Sequence, residues 1–141
     1  MCIRDSYHIY GSAKYLEKFG HPKTVNELNK HKFISYGKGA PSPVFNPDWA
    51  LKLGTKDNKK RKTVMKVNSV YGLLLAVQSG VGLAALPDYI TVNQPNIVKV
   101  LPNIEGPITE AHFVYPQSMK NVARVQAFRN FLYSKISEWE F

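Results

Sequence analysis

Strand-like and helix-like segments alternate along this sequence and place it in the α/β class. Three observations carry that assignment. Val70, Leu73, Leu74 and Val77 recur at i, i+3, i+4 and i+7, the apolar stripe of an amphipathic helix. Val81–Leu86 follows directly as a near-continuous apolar run, the pattern of a buried strand. Val125, Phe128, Phe131, Leu132 and Ile136 form a second helical stripe close to the end of the chain. Strands and helices that alternate, rather than segregate, build a sheet with helices packed on it.

The size and composition agree with that class. A chain of 141 residues suffices for one domain. With 44% apolar and 21% charged residues it is neither disordered, collagen-like nor coiled coil. The single cysteine, Cys2, leaves no disulfide framework within the chain and no multi-cysteine zinc site. No apolar run approaches the roughly 18 residues of a membrane span. Residues 1–6, MCIRDS, lack the apolar core of a signal peptide and suit neither strand nor helix. They resemble a translated sequencing adaptor and are set aside as a non-native leader. The expected compartment is the cytoplasm.

Each element has a local reason. Tyr7–Tyr10 alternates as a short strand, and Gly11-Ser12 ends it. Ala13–Phe19 places Tyr15, Leu16 and Phe19 on one helical face, with Gly20 as its stop and Pro22 forbidding an early restart. Thr24 and Glu27 have the spacing of a capping box, which predicts a short helix to about Lys30. Phe33–Tyr36 reads as a strand ended by Gly37, and Gly39, Pro41, Pro43 and Pro47 make an irregular loop. Trp49–Leu53 and Thr63–Val67 both alternate, which predicts a hairpin around a basic turn. Asn68-Ser69 opens the helix of the first stripe, Gly80 caps its end and Gly82 is expected to make a tight turn. Strands are predicted at Ile97–Leu101 and at His112–Tyr115, the latter closed by Pro116. Asn121 is placed to cap a final helix over Val122–Glu138.

The net charge is +9, and five of the basic residues, Lys56, Lys59, Lys60, Arg61 and Lys62, fall in one stretch. Such a stretch is either a phosphate-binding patch or a solvated turn. Gly54, Asp57 and Asn58 are turn formers, and no aromatic residue interleaves with the run as single-strand binding requires.

Catalytic signatures are missing. The sequence holds no G-x-S-x-G elbow and no phosphate-binding P-loop. His8, His21, His31 and His112 are scattered, without the spacing of metal ligands. Gly80-x-Gly82-x-x-Ala85 has the letters of a dinucleotide fingerprint, but the helix precedes the glycines and the strand follows, the reverse of what the fingerprint needs. Asp88 and Glu105 stand alone. No enzyme, cofactor or metal is expected.

Five stretches, in order, resemble the LysR-type transcriptional regulators. Ser12–Pro22 is similar to S-P-x-Y-L-x-x-x-G-x-P, and Thr24–His31 to the x-P-x-D-L-x-x-H that follows it. Trp49 fits the family's tryptophan after the loop. Asn68–Tyr71 with Ala76–Pro87 resembles N-D … A-x-x-x-G-x-G-I-A-x-L-P. Val114-Tyr115-Pro116 and Arg124–Leu132 resemble V-Y-P … R-V-R-A-F-I-D-F-L. Ala13 stands where the family has Pro, and Ser69 where it has Asp, which removes a carboxylate that could shape ligand choice.

The resemblance spans residues 7 to about 138 and implies a type 2 periplasmic-binding-protein-like lobe, a mixed sheet flanked by helices, with an incomplete first lobe. Residues 7–116 would be the second lobe with its crossover strands, and 117–141 a C-terminal helix returning to the missing first lobe. The apolar stripe of that helix would then lack the sheet that buries it. The implied function is sensing of a small, anionic effector, with DNA bound only through a missing N-terminal helix-turn-helix domain and the parent forming a homodimer or homotetramer. No membrane association is implied. Ligands of open α/β sheets bind at the carboxyl ends of strands. That rule and the resemblance together select Tyr36, Gly37, Asn68, Ser69, Val70 and Pro87 as ligand-binding candidates. Asn68 and Ser69 would add donors to the free amides of a helix start, although either one serves equally as a simple cap. Tyr10-Gly11 and Tyr115-Pro116 match the family's interlobe crossovers and would be hinges. The alternative is a stand-alone nucleic-acid-binding module built on Lys56–Lys62.

Overall fold

The structure, a computed structural model, describes residues 2–37, 46–56 and 59–138. Its organising element is the long strand β1 (Cys2–Ser12). Along Tyr7–Tyr10 β1 pairs antiparallel with β4 (Ala84–Pro87), in register Tyr7 opposite Pro87 and Tyr10 opposite Ala84. On its other side β5 (Ile97–Val100) pairs with Ile9–Ser12, and β6 (Ile108–His112) with Cys2–Ser6. A second pair, β2 (Phe33–Tyr36) and β3 (Thr63–Val67), is parallel. Among the described residues one bridge joins the two sheets. Leu83 N–H donates to Lys32 O, and Ile34 N–H donates to Leu83 O, each at 2.8 Å.

Strand alternation sends side chains to both faces of β1, and both faces are covered. Tyr7 and Ile9 pack with Tyr15, Leu16, Leu28, Phe33 and Trp49. Tyr10 packs on the opposite side with Ile34, Leu73, Leu74, Val77 and Leu86. Helix α1 (Ala13–Phe19) supplies Tyr15 and Leu16, and Ser12 caps it by accepting from Tyr15 N–H. The result is a mixed sheet flanked by helices, the lobe architecture expected from the sequence.

Several elements depart from expectation. Trp49–Lys52 is a helical turn, α2, not a strand. Trp49, Ala50 and Leu51 are all buried, and three successive residues share a core on a helical turn but not on an alternating strand. The hairpin is therefore absent, and β3 instead lies parallel to β2, reached by a connection long enough for a crossover. Arg61 fixes the return. Its Nε donates to Asn29 Oδ1 at 2.8 Å, its Nη1 donates to Ala50 O at 3.0 Å, and its guanidinium lies 5.7 Å from the Phe33 ring centroid. The prolines of the preceding loop at 41 and 43, with Gly39, lie outside the described residues, as do Asp57 and Asn58 of the basic turn.

Residues 24–30 form a 3-10 helix over Val25–Lys30, with no bond from the Thr24 side chain; Glu27 reaches back to Lys23 N–H instead, at 2.7 Å. Residues 2–6 are extended rather than irregular, because an edge such as β6 offers unpaired amides and carbonyls to any extended partner, whatever its side chains. The last strand ends at His112 instead of starting there. Gly82 is a site of close approach rather than a tight turn, while Gly80, at φ +76°, does end a helix as expected.

The final helix, α4 (Ala123–Ser137), starts without a side-chain cap from Asn121, and none of its residues is buried. Phe128 and Phe131 are 51% and 54% exposed. An apolar face this open favours association. The chain is expected to self-associate in light scattering, and the double variant Phe128→Ser, Phe131→Ser to shift it toward monomer; a wild-type chain that is already monodisperse and monomeric would refute this.

Candidate functional site

β2, β3 and β4 run in the same direction, so their carboxyl ends reach one edge of the sheet. Gly37 N–H donates to Val67 O at 2.9 Å and carries the β2–β3 pairing one step past Tyr36. Helix α3 (Val70–Gln78) then starts beside it. Ser69 is its N-cap, its Oγ accepting from Gly72 N–H at 3.2 Å. Gly72 is required there, since a Cβ would stand 2.4 Å from Val67 Cγ1. Asn68 and Ser69 are exposed, Tyr36, Gly37 and Val70 half-buried, and Pro87 buried at the end of β4. Ser69→Ala is expected to lower stability by about 1 kcal/mol, as loss of a helix cap does. A chemical denaturation midpoint reads this directly, and an unchanged midpoint would show that the cap bond contributes nothing.

Sequence reasoning missed the tyrosines that share this edge. Tyr7 lies opposite Pro87, Tyr71 stands in the first turn of α3, and Tyr89 follows the end of β4. Burial raises the hydroxyl pKa of Tyr7 well above its usual value, with Tyr36 and Tyr89 adding to the effect. Burial likewise raises Tyr36, with Tyr89 next, and Tyr89, with Asp5 and Tyr71 next. These phenols therefore remain protonated donors at neutral pH. Tyr71 and Tyr89 are 68% and 49% exposed, so two of the rings face solvent on this edge. The signal available in the sequence was the alternation Tyr7, Ile9 and the tyrosines just after two strand ends.

Asp5 sits behind this edge, accepting from Tyr89 N–H at 3.2 Å. Burial, then the Asp88 carboxylate, push its pKa up to about 6. A carboxyl with a folded pKa above its unfolded value of 3.8 favours folding most at low pH, and that contribution is lost as pH rises from about 4 through about 6. Asp5→Asn is expected to raise the melting temperature at pH 7.5 and not at pH 4; equal effects at both would refute the shift.

Asp88 does not stand alone. Its Oδ1 accepts from the Tyr10 hydroxyl at 2.7 Å and lies 2.8 Å from His8 Nδ1, and its Oδ2 accepts from Lys99 Nζ at 3.0 Å. His8 and Asp88 are 8% and 7% exposed. This cluster ties the turn after Pro87 to β1 and β5.

The two pairs of expected hinge residues lie in different surroundings. Tyr10 and Gly11 lie within the sheet, with a Gly11 Cβ site only 2.6 Å from Leu83 Cδ2. Tyr115 follows β6, 5.4 Å from the Phe113 ring, beside a cavity of about 470 Å³ bordered by Lys120, Arg129 and Tyr133. The two-strand ribbon of the fold is Cys2–Ser6 with Ile108–His112.

The basic stretch is partly consumed by structure. Arg61 is anchored as described, and Lys60 pairs with Asp48. Lys56, Lys59 and Lys62 border a cavity of about 460 Å³ with Asn26 and Asn29. Among the described residues no cluster of side chains could hold a metal ion, and no helix is long and apolar enough to cross a membrane.

The family pattern of the LysR substrate binding domain matches residues 2–136. The chain belongs to that family. It is a family of regulatory domains, not of enzymes. An uncharacterized HTH-type transcriptional regulator of Haemophilus influenzae is 32% identical over 116 residues, covering 77% of this LysR-type chain and 38% of that protein. The chain thus spans under two fifths of that relative's length. Its fold is similar to the regulatory domain of CrgA, a LysR-type transcriptional regulator from Neisseria meningitidis (TM-score 0.70, 20% identity, 96% of this chain and 68% of that one). It is also similar to the regulatory domain of AphB from Vibrio vulnificus (TM-score 0.68, 13% identity, 96% and 68%). Full-length CrgA matches with a TM-score of 0.71 at 20% identity, where the chain covers 96% of itself but 47% of that protein. At these identities the likeness to solved structures is one of fold.

Proposed function

We propose that this chain is the ligand-sensing half of a LysR-type regulator and holds a small anionic metabolite at the carboxyl edge of its sheet. The observation that supports this reading is the convergence of Tyr36-Gly37, Asn68-Ser69 and the start of α3 on one edge beside Pro87. Asn68 and Ser69 offer donors, α3 directs its positive end there, the phenols of Tyr36 and Tyr89 supply neutral donors, and Tyr71 adds apolar ring surface. A further lobe of the parent regulator would close over this edge. The strand β6 and the Tyr115-Pro116 segment after it would carry that closure toward a DNA-binding domain outside this chain. Differential affinity for open and closed lobes is what would bias DNA binding. The regulator would act in the cytoplasm as a homodimer or homotetramer.

A thermal-shift titration with benzoate, succinate and acetate, against benzamide as the neutral control, tests the site. A carboxylate is expected to raise the melting temperature, and Asn68→Ala to abolish the rise. A rise equal for benzamide, or retained in Asn68→Ala, would overturn the reading. The nucleic-acid alternative is disfavoured because Arg61 and Lys60 already have protein partners. It would regain ground if duplex DNA bound this chain with a steep salt dependence.

A further inference from the structure

The opposite, amino-terminal edge of the sheet carries a second concavity. Lys14 and Lys18 are one turn apart on α1 and share a face. Lys32 immediately precedes β2. With Phe19, Val64 and Val81 these lysines border a space of about 360 Å³, at the lower end of the roughly 300–1,000 Å³ typical of small-molecule sites. The ammonium groups of Lys18 and Lys32 lie 5.5 Å and 5.4 Å from the Phe19 ring centroid. The arrangement is held from below. The Tyr15 hydroxyl accepts from Lys32 N–H at 2.9 Å, and the Tyr15 ring is 4.7 Å from that of Phe19.

Two features point to a ligand. First, no carboxylate borders this space, and among the described residues none of the three lysines forms a salt bridge. Like charges gathered without a counter-ion favour a multiply charged anion, since a single carboxylate would leave two of them uncompensated. Second, Phe19 is 43% exposed and Val64 54%, an apolar wall open beside the cations. The carboxyl end of α3 also faces this edge, and its partial negative charge opposes an anion. That charge is about half a unit against three full positive ones, and the carbonyls of Leu75, Ala76 and Val77 are already taken by Ser79, Val81 and Gly80.

We propose that this concavity binds a nucleotide-class ligand, with phosphates on Lys14, Lys18 and Lys32 and the base against Phe19, Val64 and Val81. It is separate from the effector edge by the length of β2, about 13 Å at 3.3 Å per residue, and does not depend on the effector reading. Isothermal titration of the 141-residue chain with ADP, pyrophosphate and adenosine tests it. ADP is expected to bind saturably and more tightly than either other probe. Lys18→Gln and Lys32→Gln should each weaken ADP about fivefold, the loss of one modest charge-assisted contact. Lys18→Arg should retain binding. Phe19→Ala should weaken ADP and leave pyrophosphate unchanged. The control variant Lys59→Gln, Lys62→Gln should bind as wild type, and melting curves show that each variant is folded. Absence of saturable ADP binding, an equal loss in the control variant, or equal affinities for ADP and pyrophosphate would each overturn the proposal.

Discussion

Asp88→Ala is expected to destabilise the protein by about 2–6 kcal/mol, the cost of stranding the two buried polar groups that hydrogen-bond to its carboxylate. The size follows from what is left behind. His8 Nδ1 and the Tyr10 hydroxyl lose the oxygen that both contact, in a region where His8 is 8% and Tyr10 3% exposed. Each stranded polar group costs about 1–3 kcal/mol. Lys99 is less constrained, since a third of its side chain is exposed (34%) and its ammonium can turn to water. Asp88→Asn keeps one acceptor oxygen and should cost about half as much, by the same reasoning. Urea denaturation of the three proteins measures both, read as a change of midpoint at constant slope. A loss below about 1 kcal/mol for the alanine variant would mean that water replaces the carboxylate without penalty.

Gly82→Ala is expected to cost about 1–3 kcal/mol, the usual range for overpacking. The added Cβ would stand 2.6 Å from Lys32 O and 3.0 Å from Lys32 C, and both are backbone atoms. A flexible side chain would move aside, but this carbonyl cannot, because it accepts from Leu83 N–H at 2.8 Å. Relief of the clash therefore pulls apart the bridge that joins β2 to β4. Gly80→Ala is a useful contrast. Its strain comes from φ +76° alone, with its nearest neighbour, Ser12 Oγ, 3.6 Å away. Thermal unfolding should show a broadened transition for Gly82→Ala and a sharp, shifted one for Gly80→Ala. Identical transition widths would argue against a selective loss of the bridge.

The parts of the fold that were legible in the sequence are those whose signals are local. The α3 stripe, the Ser69 cap and the Gly80 stop fall within a dozen residues, and each reports its own backbone. Trp49–Leu53 misled because alternation over five residues fits a strand as well as a short helical turn. What decides between them is burial of Trp49, Ala50 and Leu51 against residues far along the chain. Asp88 looked isolated because its partners His8 and Tyr10 precede it by 80 and 78 positions. The candidate edge was legible by the rule for strand ends, which needs only the order of strands and helices. Tyr36 was legible by the same rule, while Tyr7, Tyr71 and Tyr89 carried only the weak signal of strand alternation and of closeness to strand ends, which does not by itself mark an edge.

The bridge at Leu83 has a consequence for how the lobe would respond to a ligand. Tyr36 and Asn68 belong to the β2–β3 pair, while Pro87 and Tyr89 belong to the sheet around β1. The candidate edge therefore straddles a seam between two units that, among the described residues, are joined by one pair of backbone bonds at Leu83 and by the apolar core packed across it. A molecule that touches both sides would act as a staple across that seam. Its effect would register as a narrowing of the lobe's internal fluctuations, so that signalling could proceed through lost conformational entropy with little change in mean position.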